Sequence, residues 1–243
     1  MIQEKTASLE PTLPGNYYLD AEIFRLERKH IFNSEWFAVG RLEEIANSGD
    51  YLHVNVCGES IIIVRMREHR LRAFYNVCRH RGCQLAIQET VKPDLDVCEA
   101  TGNFPGAIQC KYHAWTYDLE GRLRAAPYLN DAVNKNELSL YPVGVETWGG
   151  FIFVNLEPEA ANAKNYTLKT QLGKELEYSK NYPLADLRIA KRVRYEVKAN
   201  WKVVLENYNE CYHCAGVHPE LCEVVPAFKE KGGSSLDWEN GVP

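Results

Sequence analysis

The 243 residues suffice for one large or two modest domains with buried cores. Charged residues at 25% and hydrophobic ones at 45% exclude intrinsic disorder for most of the chain. A net charge of −5 offers no basic field for nucleic acid or an anionic membrane. The longest aliphatic run, Ile61 to Val64, is far short of the roughly 20 residues of a spanning helix. Residues 1–20 carry Glu4, Glu10 and Asp20 and no apolar stretch, so the expectation is a soluble, cytoplasmic protein without a secretory signal.

In chain order, residues 1–16 read as a polar arm closed by the turn Pro14-Gly15-Asn16. Ile23, Phe24, Leu26, Ile31 and Phe32 predict a helix from Asp20, its cap, to about Phe37. Alternation predicts a strand over Tyr51 to Val56, a turn at Gly58-Glu59 and a partner strand over Ser60 to Arg65. Cys57 then reads as a small core residue, and the cluster Arg65, Arg67, Glu68 and Arg70 as a solvated hairpin end. Further strands are predicted over Leu71 to Asn76, in a hairpin from Ala114 to Leu123 turning at Asp118 to Gly121, and over Trp148 to Val154. Residues 156–190 read as a linker entering helical or loop structure near Thr167 to Tyr178. Lys191 to Val197 alternates like a strand, and Trp201 to Tyr212 reads as a helix whose end is marked by Gly216 and Pro219. Lys229 to Pro243 carries no convincing element, and no internal repeat is visible. The strand-then-helix order of residues 191–215 suits the opening of an α+β domain.

Eight cysteines are present, at 57, 78, 83, 98, 110, 211, 214 and 222. Without a secretory signal, and at a length that needs no staples, they read as thiols or metal ligands rather than disulfides. His80, His113, His213 and His218 each lie within a few residues of a cysteine; His30, His53 and His69 have no ligand spacing and read as surface or structural.

Cys78-x-His80 and Cys110-x2-His113 each adjoin a predicted strand, so two loops can face each other with two thiolates and two imidazoles. That set suits a Rieske [2Fe–2S] centre, in which imidazoles replace two thiolates on one iron. A structural zinc with two Cys and two His uses the same donors. On the predicted helix from Trp201, Glu206, Glu210 and His213 fall at i, i+4 and i+7 and share a face. His218 joins them if the helix breaks near Gly216. Two imidazoles and a carboxylate suit a non-heme Fe(II) oxygenase site. The same stretch, Cys211, Cys214, His218 and Cys222, allows a zinc knuckle, and Glu210-x-x-His213 has the spacing of half a di-iron site, although no second Glu-x-x-His exists.

The stretch Cys78-Arg-His80-Arg-Gly82, with Cys110-Lys-Tyr-His113-Ala-Trp115 running on to Leu123, resembles the Rieske domain of Rieske non-heme iron oxygenase α subunits. Lys111 stands where that family usually has proline. Asn200 to Pro219 resembles the family's catalytic signature, an acidic residue followed by two spaced histidines. The resemblance implies an α+β chain: an antiparallel β Rieske [2Fe–2S] domain followed by the start of a helix-grip-like α+β catalytic domain. Residues 1–37 would be an N-terminal arm and helix, 38–155 the Rieske domain and 156–243 the beginning of the catalytic domain. It implies Cys78, His80, Cys110 and His113 as cluster ligands, His213 and His218 as ligands of a mononuclear Fe(II), and Glu210 as the carboxylate linking the Rieske histidine of one subunit to the iron histidine of its neighbour. Cys83 and Cys98 are expected as spare thiols, Glu206 as a helper of that link or a partnered helix carboxylate, and Cys211, Cys214 and Cys222 as structural.

The family's third iron ligand is an aspartate far beyond the second histidine. Glu220, Glu223, Glu230, Asp237 and Glu239 do not match its position, so the expectation is a chain truncated at its C-terminus. The implied function is an oxidoreductase: the oxygenase component of a homotrimeric system that takes electrons from a ferredoxin or flavin reductase and uses O2 on a small organic substrate. Glu at 210 and the wording around it resemble members acting on quaternary ammonium compounds such as choline, glycine betaine or carnitine, where hydroxylation beside nitrogen releases an aldehyde. An aromatic-ring-hydroxylating dioxygenase α subunit and an electron-transfer fragment without catalysis are the alternatives.

Overall fold

The computed structural model describes residues 11–87, 100–159, 166–193, 195–210 and 212–229. The expectations for residues 1–10, Cys98, Cys211, Glu230, Asp237 and Glu239 lie outside these. The chain divides into two compact units, one formed by Glu27–Arg194 and the other by Met1–Leu26 with Tyr195–Pro243.

The first unit is built on antiparallel β structure. Its strands are β1 (Phe37–Arg41), β2 (Asp50–Val56), β3 (Glu59–Arg65), β4 (Leu71–Tyr75), β5 (Ala100–Asn103), β6 (Ala107–Gln109), β7 (Thr116–Asp118), β8 (Leu123–Ala125), β9 (Pro142–Trp148) and β10 (Phe151–Asn155). Seven form one sheet in the order β1-β10-β9-β4-β3-β2-β5, and β6-β7-β8 form a second. The run Ile61 to Val64 lies in β3 with both faces buried. Ile61 and Ile63 join Leu52, Val54, Ile152 and Val154 in one core. Ile62 and Val64 join Phe74, Ile108, Trp115 and Tyr117 in another, which also holds Cys78 and Cys110. A strand covered on both faces reads as continuous apolar sequence rather than as alternation.

Two turns sit where alternation alone misplaces them. The β2–β3 hairpin turns at Cys57 and Gly58, with φ of +54° and +89°. A two-residue turn that matches strand twist needs positive φ at both positions. Cys57 is therefore a half-buried turn residue beside the core, not a strand residue within it. The expected strand from Trp148 to Val154 is likewise two strands, β9 and β10, joined by Gly149 and Gly150 at φ +56° and +80°. Of the charged cluster, Arg67, Glu68 and Arg70 are exposed, but Arg65 ends β3 with its guanidinium buried and Nη2 3.2 Å from His69 Nδ1.

Helices α1 (Asn16–Leu19) and α2 (Ala21–Glu27) and a π-turn at Arg28–Phe32 occupy the region of the first predicted helix. Asp20 caps as expected, its Oδ1 accepting the Glu22 N–H at 2.8 Å. Phe37 belongs to β1 instead. Helices α3 (Leu168–Leu172), started by the Thr167 hydroxyl, and α4 (Glu175–Tyr178) fill the expected helical stretch after residue 166.

In the second unit α5 (Trp201–Tyr208) begins on Asn200, whose side chain accepts the Lys202 N–H at 3.0 Å. Short helices α6 (Cys214–Val217) and α7 (Pro219–Val224) follow. The strand expected at Lys191 to Val197 is not formed among the described residues. Val193, Tyr195 and Val197 are exposed. Alternation favours extended backbone, but a strand also needs a neighbour to accept its ladder bonds.

Candidate metal centres

The two Cys/His segments form loops of one backbone design. In the first, Cys78 N–H donates to the Cys83 carbonyl at 2.8 Å and Gly82 N–H donates to the Cys78 carbonyl at 3.0 Å. In the second, Cys110 N–H donates to Trp115 O at 2.8 Å and Ala114 N–H to Cys110 O at 3.0 Å. Each loop turns at its fourth residue past the cysteine, Gly82 at φ +71° and Ala114 at φ +58°. Only glycine takes that conformation without cost, so Ala114 carries some strain.

The geometry draws the four candidate donors together. The Cys78 and Cys110 thiols are buried, each residue 2% exposed, and both belong to one core cluster. The imidazoles lie at the surface with ring centroids 4.7 Å apart. Trp115, buried, stacks on His80 at 4.8 Å and 11°, while exposed Tyr112 leans on His113 at 3.8 Å.

Burial pushes the Cys78 thiol up, against opposing hydrogen bonds from Tyr117 and the His80 backbone. For Cys110 burial is the largest influence and raises the value, but the N–H groups of Tyr112 and His113 together with the neighbouring Cys78 and Cys83 thiols outweigh it and hold it below the ordinary thiol range. Donors aimed at buried sulfur are what a thiolate-bound cluster requires. Two thiols and two imidazoles on facing loops therefore fit a [2Fe–2S] cluster. Among the described residues no group of three or more His, Cys, Asp or Glu converges on a single ion.

Tyr117 is a contributor that spacing did not single out. Its hydroxyl accepts the Arg79 N–H at 3.1 Å and lies 3.3 Å from Cys78 Sγ, so its own hydrogen is free to go to the sulfur. Burial, then that sulfur contact, raises its pKa far above the usual phenol. The available signal was its place in β7, where it faces the core holding the ligand loops.

Asn76 fixes the first loop from beneath. Its Oδ1 accepts the Leu85 and Ala86 N–H groups at 2.9 Å, and its Nδ2 donates to Ala86 O at 2.8 Å and Ser60 Oγ at 3.1 Å. Ser60 Oγ is also 2.7 Å from Nε2 of buried His53, which is structural as expected. Asn76→Ala is expected to cost about 2–3 kcal/mol in denaturant melts, because two buried N–H groups lose their acceptor. Iron release should quicken in the same variant.

In the second unit, α5 stops at Tyr208, so Glu206, Glu210 and His213 do not share a helical face. The Glu210 carboxylate takes the Tyr212 N–H at 2.5 Å and lies 2.5 Å from His213 Nδ1. A side chain that captures a backbone N–H in this way competes with the helix. The His213 hydrogen bond, foremost, holds Glu210 below the usual carboxylate range. The chain turns again at His218, which lies between α6 and α7 with φ −126° and ψ 62°, rather than at Gly216. Its ring centroid comes 5.5 Å from that of His213, edge to face. Glu206 instead accepts the Tyr18 hydroxyl at 2.6 Å, a partnered carboxylate. Cys214 and Cys222 are buried. A cavity of about 620 Å³ is lined by Tyr208, Glu210, His213, His218, Leu221 and Phe228 among others.

Residues 35–145 match the Rieske [2Fe-2S] domain, and residues 184–241 match the ring hydroxylating alpha subunit (catalytic domain). The chain belongs to the Rieske oxygenase α-subunit family. Rieske domains hold a [2Fe–2S] cluster, and α subunits of this family use a mononuclear iron. This Rieske oxygenase chain is 37% identical over 216 residues to the carnitine monooxygenase oxygenase subunit of Escherichia coli K12, a match covering 88% of the chain and 54% of the relative. It is 34% identical to the glycine betaine monooxygenase oxygenase subunit of Pseudomonas aeruginosa PAO1, covering 94% and 47%. The crystal structure of the quaternary ammonium Rieske monooxygenase CntA with L-carnitine superposes with a TM-score of 0.74 at 34% identity, covering 86% of this chain and 56% of that one. The chain thus spans about half the length of these relatives. No helix among the described residues is long and apolar enough to cross a membrane.

Proposed function

We propose that this chain is part of the oxygenase component of a Rieske system that hydroxylates or oxidatively demethylates a quaternary ammonium compound with O2. The carrying observation is the pairing of two donor sets in one chain: buried thiols beside surface imidazoles, and a carboxylate-held histidine facing a second one. In this reading Cys78, His80, Cys110 and His113 hold the cluster, and His213 and His218 hold the iron. Residues 1–37 form the arm and first helix, 38–155 the Rieske domain and 156–243 the opening of the catalytic domain.

When bound, the cluster passes single electrons and the iron activates O2. The protein's own groups prepare both. N–H and O–H donors spread the charge of the buried thiolates, and the exposed imidazoles are the face through which electrons leave or enter. Glu210 keeps the His213 proton on Nδ1, leaving Nε2 unprotonated and able to ligate. The same carboxylate links the two centres across neighbouring subunits of a homotrimer. Tyr208 and Phe228 offer aromatic faces to a cationic head group at the cavity. The electron donor is a ferredoxin or flavin reductase supplied by NAD(P)H, which places the system in the cytoplasm.

The test offers choline, glycine betaine, carnitine and benzene to the full-length protein with a reductase, measuring substrate-dependent NAD(P)H oxidation and aldehyde release. Coupled turnover with one of the ammonium compounds is expected. Turnover of benzene alone would overturn the assignment.

A further inference from the structure

Helix α5 runs straight into the segment that carries Glu210 and His213, and little of its own surface anchors it. Of its eight residues only Lys202 is buried, while Val203, Val204 and Leu205 are exposed. A helix this short is marginal in water without outside contacts. Tyr18, in α1, supplies three of them along one side. Its carbonyl oxygen accepts the Asn200 Nδ2–H at 3.0 Å, and Oδ1 of the same amide caps the helix at the Lys202 N–H. The Tyr18 ring lies 5.8 Å from the Lys202 ammonium, which is also 5.2 Å from the Trp201 ring. The Tyr18 hydroxyl donates to Glu206 Oε1 at 2.6 Å. Lys202 and Glu206, four residues apart, share a helix face. One tyrosine thus grips α5 at its cap, its first turn and its last turn, a span of about 9 Å.

That last turn passes its register on. The Leu205 and Glu206 carbonyls accept the Asn209 N–H at 3.0 and 3.2 Å, and the next residue, Glu210, takes the Tyr212 N–H and meets His213 Nδ1. We propose that Tyr18 is a positioning residue for the mononuclear iron site, holding the end of α5 in the register from which Glu210 reaches His213. The inference rests on the reading of His213 and His218 as the iron ligands. Apparent Fe(II) affinity falls with the fraction of molecules in which the ligand-bearing segment is in place. Removing the Tyr18 hydroxyl lowers that fraction without altering a ligand or Glu210. The cluster loops belong to the other compact unit and keep their own contacts.

The experiment is an Fe(II) titration of the full-length, cluster-loaded protein after its mononuclear iron is removed, read as iron retained against acid-labile sulfide. The cluster accounts for equal iron and sulfide, so iron beyond that ratio reports the second site. Tyr18→Phe, which keeps the ring and the carbonyl, is expected to weaken Fe(II) binding by about 3- to 10-fold. Tyr18→Ala, which also loses the ring beside Lys202, is expected to weaken it further. Both should keep the Rieske absorption and electron paramagnetic resonance spectra of the unmodified protein. Glutamine at 206 keeps an accepting oxygen, so the partner is tested with Glu206→Leu. In that background Tyr18→Phe is expected to add no further loss. Unchanged affinity in Tyr18→Phe, or a loss that persists in full beside Glu206→Leu, would overturn the proposal. If Tyr18→Ala does not fold, Tyr18→Phe decides alone. No iron beyond the cluster in the unmodified protein, or uptake that survives His213→Ala and His218→Ala, would overturn the iron-site reading itself, and this inference with it.

Discussion

Glu210→Gln is expected to leave the Rieske spectrum unchanged while lowering substrate-coupled turnover of the full-length protein by 10- to 100-fold or more. The carboxylate lies 2.5 Å from His213 Nδ1 and takes the Tyr212 N–H at the same distance. It thereby sets both the tautomer of the imidazole and the path of the chain that carries it. Glutamine keeps the shape and can still accept the Nδ1–H hydrogen. It lacks the negative charge that makes the imidazole a better donor to a metal, and that would steady a positive histidine during electron and proton transfer. The effect should fall on turnover and on retained iron outside the cluster. Glu206→Gln is the control. Glu206 is engaged by Tyr18 rather than by a histidine, so its loss should leave turnover within a few-fold. Unchanged turnover in Glu210→Gln, or equal losses in both variants, would refute the role of Glu210.

Cys110→Ser is expected to abolish the cluster outright. Serine is a hard, weakly acidic donor where the cluster needs a soft thiolate. The surroundings are also tuned to sulfur, with backbone N–H groups aimed at it and Cys78 at its side. Because Cys110 packs in the core below the loops, the substitution should cost about 1–3 kcal/mol of stability as well. Cys57→Ser, in the β2–β3 turn, should lose neither colour nor iron. A Cys110→Ser protein that retained labile sulfide and the spectrum would show that the ligands lie elsewhere.

The cluster loops were legible because their chemistry is written in local spacing. Cys-x-His and Cys-x2-His next to strands can converge only if the intervening chain doubles back, and β5 and β6 lie on that return. The apolar run of β3 and the Asp20 cap were likewise visible. What failed was periodicity at points where single side chains override it. The β2–β3 turn sits at Cys57 and Gly58, one residue before the expected Gly58-Glu59, and Gly149 and Gly150 look like strand residues until their left-handed backbone makes them a turn. Helix α5 continues by pattern to Tyr212, but Glu210 takes the Tyr212 N–H and the chain leaves the helix. That departure abolishes the common face predicted for Glu206, Glu210 and His213, yet it brings Glu210 and His213 into direct contact. The contributions of Tyr117 and Asn76 had no spacing signal, because each depends on which loop a buried side chain meets.

The most direct test of the account is iron, zinc and acid-labile sulfide analysis of the purified protein together with its reduced electron paramagnetic resonance spectrum. The account predicts a Rieske signal with equal iron and labile sulfide at the cluster, present in the unmodified protein and missing in Cys110→Ser. Stoichiometric zinc, no sulfide and no signal would contradict it.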